Sequence, residues 1–307
     1  MTGAASRSPG GPLRQTPKAT LANAVLVMGK GGVGKTTVAA SLAVLGAETL
    51  GGAAFVEFGD GEAGRRALAG SHRNVEHIVI RPSEALQRGA VPLFGSAMLA
   101  KLVLDNFAMR PLLRAAPAIR ELAMLESVRQ LVAERPSMRV VVDMPATGHS
   151  VAWLRVPRQG RAFLGAGALF DMCDRVGREL VAPGRSSIVV VTLPERLVID
   201  ETVELCAAIA NETRMHVDRV VVNRMLASLP PTALGEARAL AAQPGPVGEA
   251  ARLLATILAG REASSREGEL ALEALHLSNH AIWRLPLAHS DPSAKRVAEW
   301  LRAEGAS

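Results

Sequence analysis

Tyrosine is absent from this chain of 307 residues, and phenylalanine and tryptophan bring the aromatic share to only 3%. A sequence so poor in rings offers no stacking platform for single-stranded nucleic acid. Cysteine is nearly absent too: Cys173 and Cys206 are the two. That excludes a disulfide framework, and any four-cysteine zinc or iron–sulfur site built within one chain. No run of 18 or more apolar residues occurs, so no segment reads as a membrane-spanning helix. Lysine is scarce, with 5 lysines among 35 basic residues, the rest being arginine. What is present is ample apolar material: 49% apolar against 21% charged residues, with a mean hydropathy of +0.19. Those proportions exclude a largely disordered chain, and the length suffices for a well-buried core in one or two domains. The formal charge of +6 and an isoelectric point near 10.1 leave an acidic partner open, nucleic acid or acidic lipid included.

Residues 1–21 read as a solvated tail, rich in Ser, Pro, Gly and Thr, with Arg7, Arg14 and Lys18 and no acid. No apolar stretch follows these basic residues as a secretory signal requires, so a cytoplasmic location is expected. From residue 24 the pattern alternates between strand and helix. Strands are expected at 24–28, 53–58, 75–80, 139–143, 188–192, 217–223 and 281–285. Runs such as Arg139-Val-Val-Val-Asp143 and Ile188-Val-Val-Val-Thr192 are continuously apolar, as in parallel strands covered on both faces. Helices are expected at about 35–48, 96–104, 117–134, 168–181, 195–211, 248–260 and 292–303. The proline-bearing stretch 229–247 reads as a loop or insertion. The expected fold is α/β: one domain over 22–307, a three-layer α/β/α sandwich on a mostly parallel sheet, with a small helical subdomain from about 94–116 and 151–182.

Gly29-Lys30-Gly31-Gly32-Val33-Gly34-Lys35-Thr36-Thr37 matches G-x-x-x-x-G-K-[ST] in full, entered by a strand and left by a helix. The glycines let the backbone turn its N–H groups onto phosphate oxygens, and the helix N-terminus adds a favourable dipole. Lys35 then reaches the β- and γ-phosphates, and the Thr36 hydroxyl binds Mg²⁺. Asp143 ends a buried strand beside this loop, where an acid can hold the metal directly or through water.

Lys30, a second lysine directly after the first glycine, makes the loop resemble the deviant Walker A class of nucleoside triphosphatases. That class includes the ParA and MinD positioning ATPases, the nitrogenase iron protein and the arsenite-pump family. In the class the extra lysine reaches across a nucleotide-bridged dimer to the partner's phosphates. Asp143-Met-Pro-Ala-Thr-Gly-His-Ser150 resembles the switch II segment D-T-A-P-T-G-H-T of the arsenite-pump and tail-anchored-protein-targeting ATPases, with Asp143, Thr147, Gly148 and His149 matching directly. Val220-Val-Val-Asn223-Arg224 resembles the V-V-N-[QR] segment whose asparagine reads adenine, and Leu285-Pro286-Leu287 resembles the loop that closes over the base. The resemblance covers about 24–301. It implies ATP and Mg²⁺ as ligands, a homodimer or a heterodimer with a related subunit, and a client protein.

Two departures bear on activity. The family's switch I reads D-P-A, its aspartate polarising the attacking water; here the stretch is Val56-Glu57-Phe58-Gly59-Asp60-Gly61-Glu62, and either Asp60 or Gly59 takes that position. The insert after switch II is short, and lacks the C-x-x-C and the Met-rich length of a groove for a transmembrane client. The sequence thus points to a dimeric ATPase switch with Lys30, Lys35, Asp60 and Asp143 as catalytic residues. Its alternatives are a positioning ATPase that binds DNA or membrane and a nucleotide-binding pseudo-ATPase subunit. A specific nucleic acid partner is not expected. Membrane contact is the lesser reading of the C-terminal segment Ala294–Arg302, whose Val297, Trp300 and Leu301 share a face that suits packing on the sheet better.

Overall fold

The computed structural model describes residues 21–70, 74–94, 117–277 and 280–306, the side chains of 90–94, 147–149, 276 and 277 excepted. Seven strands are formed among them: β1 (Ala24–Gly29), β2 (Ala53–Phe58), β3 (Val75–Ile80), β4 (Arg139–Asp143), β5 (Ser186–Thr192), β6 (Val217–Met225) and β7 (Ile282–Pro286). They build one sheet in the order β3-β2-β4-β1-β5-β6-β7, with every pairing parallel. All seven expected strands are therefore present, and the sheet is parallel throughout the described residues rather than mostly so. The central strands β1 and β5 are buried along their whole length, because helices cover both faces.

Ten helices are described: α1 (Lys35–Leu50), α2 (Glu62–Ala67), α3 (Pro82–Phe94), α4 (Pro117–Glu134), α5 (Thr147–Phe163), α6 (Ala168–Glu179), α7 (Arg196–Thr213), α8 (Ala233–Ala241), α9 (Pro246–Leu277) and α10 (Ala294–Ala303). Alternate strand residues face opposite layers. Leu26, Val142, Val190 and Val222 pack with Leu125 of α4, Leu154 of α5, Val176 of α6, Ile209 of α7 and Leu272 of α9. Val25, Val141, Val189 and Val221 pack with Leu42 of α1 and Val297 and Leu301 of α10. The fold is thus a three-layer α/β/α sandwich. The apolar face of the C-terminal helix is spent on this core; Ser293 caps its start by accepting from the Arg296 N–H at 3.3 Å.

Several expectations need correction. Helices α2 and α3 were not anticipated, and α5, most of which falls in the expected helical stretch 151–182, starts earlier, at Thr147, and carries Pro157 within its span. The stretch 229–247 is not simply a loop but contains α8, and the helix expected at 248–260 runs from Pro246 to Leu277. The expected helix at 96–104, the tail 1–20 and most of 94–116 lie outside the described residues. The 151–182 part of the expected helical subdomain is largely core: Trp153, Leu154, Met172, Cys173 and Val176 are buried. Burial pushes the Cys173 thiol up, and the Cys206 thiol up to about 12, so both cysteines act as small apolar groups. Exposed apolar side chains gather instead on α9, at Val247, Leu253, Leu254 and Ile257. Among the described residues no helix is long and apolar enough to cross a membrane.

Candidate functional site

Because every strand runs the same way, the C-terminal ends of β1, β2, β4, β6 and β7 open on one edge of the sheet, and the expected residues collect there. The loop leaving β1 bends directly into α1. Gly29 ends the strand, Lys30, Gly31 and Gly32 are exposed, and the Val33 side chain is buried in the α1-side core. Gly34 is the residue before the helix. It has φ 95°, in the left-handed region, and a side chain there would collide with the Asn223 amide. Only glycine meets both demands at little cost. Thr36 and Thr37 lie in the first helical turn, and the Thr37 carbonyl accepts from Ser41 Oγ at 2.6 Å.

One contact that joins the loop–α1 turn to the sheet is Thr36 Oγ1–H donating to Asp143 Oδ2 at 2.6 Å. Asp143 is largely buried, and its other oxygen, Oδ1, is buried with no hydrogen-bond partner. Burial raises the Asp143 carboxyl to about 6; the Thr36 hydrogen bond and the Lys35 charge oppose the rise, and the Glu57 charge adds to it. A buried acceptor left unpaired costs about 1–3 kcal/mol and calls for a donor or a cation. Lys35 lies near enough to feel Asp143. Burial holds its ammonium below the ordinary lysine range, against the pull of that carboxylate, and its Nζ donates to the Lys30 carbonyl at 3.3 Å. Thr36, Asp143 and Lys35 thus form one group around the N-terminus of α1, with a hard oxygen acceptor and a cation on the same edge.

Lys30 points elsewhere. Its ammonium bridges both carboxylate oxygens of Glu201 on α7, at 2.9 and 2.8 Å, and both side chains are about half exposed. Asn223 sits against the Gly29–Thr37 loop: Nδ2 donates to the Val33 carbonyl at 2.9 Å, and Oδ1 accepts from the Arg224 N–H at 2.9 Å. The irregularity between Val222 and Met225, with Arg224 at φ 61°, turns this end of β6. Pro286 lies beside it, paired in register with Met225, and Leu287 N–H donates to the Met225 carbonyl at 2.8 Å. Asn223 and Pro286 therefore both lie at the C-terminal ends of the neighbouring strands β6 and β7.

Asp60 is exposed in the turn after β2, and its Oδ1 accepts from the Glu62 N–H at 2.9 Å. Thr147, Gly148 and His149 form the first turn of α5, and their side chains lie outside the described ones. The end of β2 and α5 touch through Phe58 and Trp153, whose rings meet edge to face at 4.9 Å. Sequence reading missed Glu57, His77 and Glu201. A charged residue inside an apolar strand, Val56-Glu57-Phe58, was the available signal for the first. Nothing local marks Glu201 as a partner of a lysine 171 residues away. A cavity of about 320 Å³ lined by Leu21, Ser187, His216 and Asp218 opens at the opposite edge, where strands begin, and takes no part in this chemistry.

The chain matches no protein-family model. No curated protein matches it significantly either.

Proposed function

We propose that the chain is an ATPase switch of the arsenite-pump and targeting type: it binds Mg²⁺-ATP in the Gly29–Thr37 loop, pairs with a second copy or a related subunit around the nucleotide, hydrolyses the γ-phosphate and relays its state to a helical surface that meets a client. The observation that carries the reading is the Thr36–Asp143 hydrogen bond with Asp143 Oδ1 buried and unpaired. That donor set suits a hard dication, with Thr36 Oγ1 and Asp143 as its holders. When bound, the ion neutralises phosphate oxygens as charge develops on them. Lys35 supplies a fixed cation to the β- and γ-phosphates. Asp60 orients the attacking water. Phe58 packing on Trp153 offers a path from the turn that follows β2 to α5. Packing of Val297 and Leu301 in the α1-side core favours this reading over a membrane-positioning ATPase, whose helix would keep that face for lipid.

Lys30 is the residue that reaches the partner's phosphates in this reading. To do so it leaves Glu201, and a pair this exposed holds it by only about 1 kcal/mol or less. Two substitutions test the scheme. With a non-hydrolysable ATP analogue and Mg²⁺, the wild-type chain is expected to sediment as a dimer. Lys30→Ala should stay monomeric to concentrations about tenfold higher, a loss of one charge-assisted contact per site. A dimer indifferent to both nucleotide and Lys30 removes the trans role. Asp60→Asn is expected to lower turnover by about tenfold to a hundredfold, at unchanged nucleotide affinity, as for loss of a water-orienting group. Unchanged turnover removes Asp60 from the mechanism and favours the pseudo-ATPase reading. Failure of the wild-type chain to bind Mg²⁺-ATP at all overturns the function proposed here.

A further inference from the structure

We propose that Glu57 is a positioning residue: its buried carboxylate clasps the turn Gly59–Glu62 to the sheet and so fixes where Asp60 stands. The inference rests on the ATPase reading for its consequence, although the clasp itself can be measured without turnover.

Glu57 belongs to β2, where it lies in register with Asp143 of β4. It follows Phe55 by two residues, so it shares that residue's face of the sheet, the α1 side. Only 5% of Glu57 is exposed. A carboxylate so deeply buried must be paired, because desolvating it otherwise costs several kcal/mol. Its partners all come from one side. Both oxygens accept from the Gly64 N–H on α2, each at 3.1 Å, and Oε1 takes the Nε2 of His77 on β3 at 2.6 Å. His77 in turn leans on Phe55, ring centroids 5.6 Å apart. The carboxylate therefore faces α2 and β3, and none of its bonds among the described residues goes to the Gly29–Thr37 loop.

Residue 64 must be glycine for this clasp to close. A methyl group there would collide with Glu57 Oε1, His77 Nε2 and the Phe55 ring at once. Asp60 lies between the two clasped points, three residues after Glu57 and four before Gly64. With Glu57 held in the β2 ladder and Gly64 held by its carboxylate, the short segment between them has little freedom. Asp60's own bond to the Glu62 N–H sits inside this clamp. The charge is kept although it opposes ionisation of Asp143 across the strand pair. A glutamine would hold Gly64 less firmly: only one of its two terminal atoms is an acceptor, whereas both carboxylate oxygens share the Gly64 N–H.

The test compares Glu57→Gln and His77→Phe with the wild-type chain in three measurements: Mg²⁺-ATP affinity, steady-state hydrolysis, and the rate of tryptic cleavage after Arg65 and Arg66, which are exposed on α2. Both variants are expected to lower kcat by about tenfold while leaving Kd and KM within twofold, since a loosened turn misplaces Asp60 without touching the phosphate loop. Both should be cut after Arg65 and Arg66 about tenfold faster, because local opening sets that rate. A kcat and cleavage rate equal to wild type overturn the proposal. So does a Kd that weakens in step with kcat, which would make Glu57 part of the nucleotide site or of the general fold. If Glu57→Gln fails to fold, His77→Phe decides alone, as it keeps a ring against Phe55 and removes only the donor. A wild-type chain inert toward Mg²⁺-ATP overturns the ATPase reading, and the cleavage rates then decide the clasp by themselves.

Discussion

Lys35→Ala is expected to weaken Mg²⁺-ATP binding by about 10²–10³-fold, the cost of one charge-assisted contact to phosphate in a partly desolvated site. Lys35 is the cation of the loop most withdrawn from water: burial depresses its ammonium, and the pull of Asp143 only partly restores it. Such a group gains more from a polyanion than an exposed lysine does, because little hydration remains to be lost. Lys30, about half exposed and bridged to Glu201, has no comparable leverage on binding. The same contrast predicts that Lys35→Arg falls well short of rescue. A guanidinium keeps the charge, but its planar fork is broader than the ammonium that reaches the Lys30 carbonyl from this pocket. Isothermal titration with Mg²⁺-ATP checks both variants. Wild-type affinity in Lys35→Ala would end the phosphate-loop assignment.

Asp143→Asn should separate function from stability in opposite directions. Turnover and the Mg²⁺ dependence of nucleotide binding are expected to fall by about 10³-fold, since a neutral amide cannot serve as the metal's carboxylate holder. The fold itself should gain. The folded chain holds the Asp143 carboxyl at about 6, against an ordinary value near 3.8, so ionising it at neutral pH opposes folding by up to about 3 kcal/mol. Below the ordinary value the carboxyl is protonated in both folded and unfolded chains, and the penalty vanishes. It grows as pH rises from about 4 to 6 and is constant above that. Thermal melts of Asp143→Asn should therefore coincide with wild type near pH 4 and lie a few degrees above it at pH 7.5, at the usual conversion for a domain of this size. Part of the gain is offset where the new amide replaces the unpaired Oδ1. A variant that melts lower than wild type at pH 7.5 would contradict the burial argument. A variant with intact turnover would contradict the metal role.

Lys35 and Asp143 are both held in an environment that disfavours their charges, and each is partly stabilised by the other's opposite charge. Active sites commonly keep such strained electrostatics, at a cost to stability. Glu57 differs: both its carboxylate oxygens are bonded, to the Gly64 N–H and the His77 ring.

The elements whose signal is local were legible in the sequence. The strands are short apolar runs, and a strand covered on both faces needs nothing else to declare itself. The loop Gly29–Thr37 could be read because its glycines and lysines stand at fixed spacing between a strand and a helix. The misread helices lack such local signals. Helix α2 is six residues long and must contain Gly64; α5 carries Pro157 and Gly160; α9 passes through Gly248, Gly260, Ser264, Ser265 and Gly268. Each of these residues argues against a helix on propensity alone. Packing overrides it: Pro157 and Gly160 lie where α6 approaches, Cys173 touching the space a side chain at 160 would fill. The prolines at 230, 231, 244 and 246 marked 229–247 as irregular, and α8 forms between them.

By itself, then, the sequence determined the α/β class, the strand positions, the glycine-rich loop Gly29–Thr37 and the acid at the end of β4, since each is written in neighbouring residues. The tertiary structure alone decided which of the charged groups meet. Thr36 finds Asp143 across 107 residues, Asn223 finds Val33 across 190, and Lys30 finds Glu201 across 171. Those meetings follow from the strand order β2-β4-β1-β5-β6, which brings distant chain segments to one edge and cannot be read from any one of them. The same order sets Glu57 beside His77 and opposite Asp143, and so turns a lone charge in an apolar strand into the clasp of a turn.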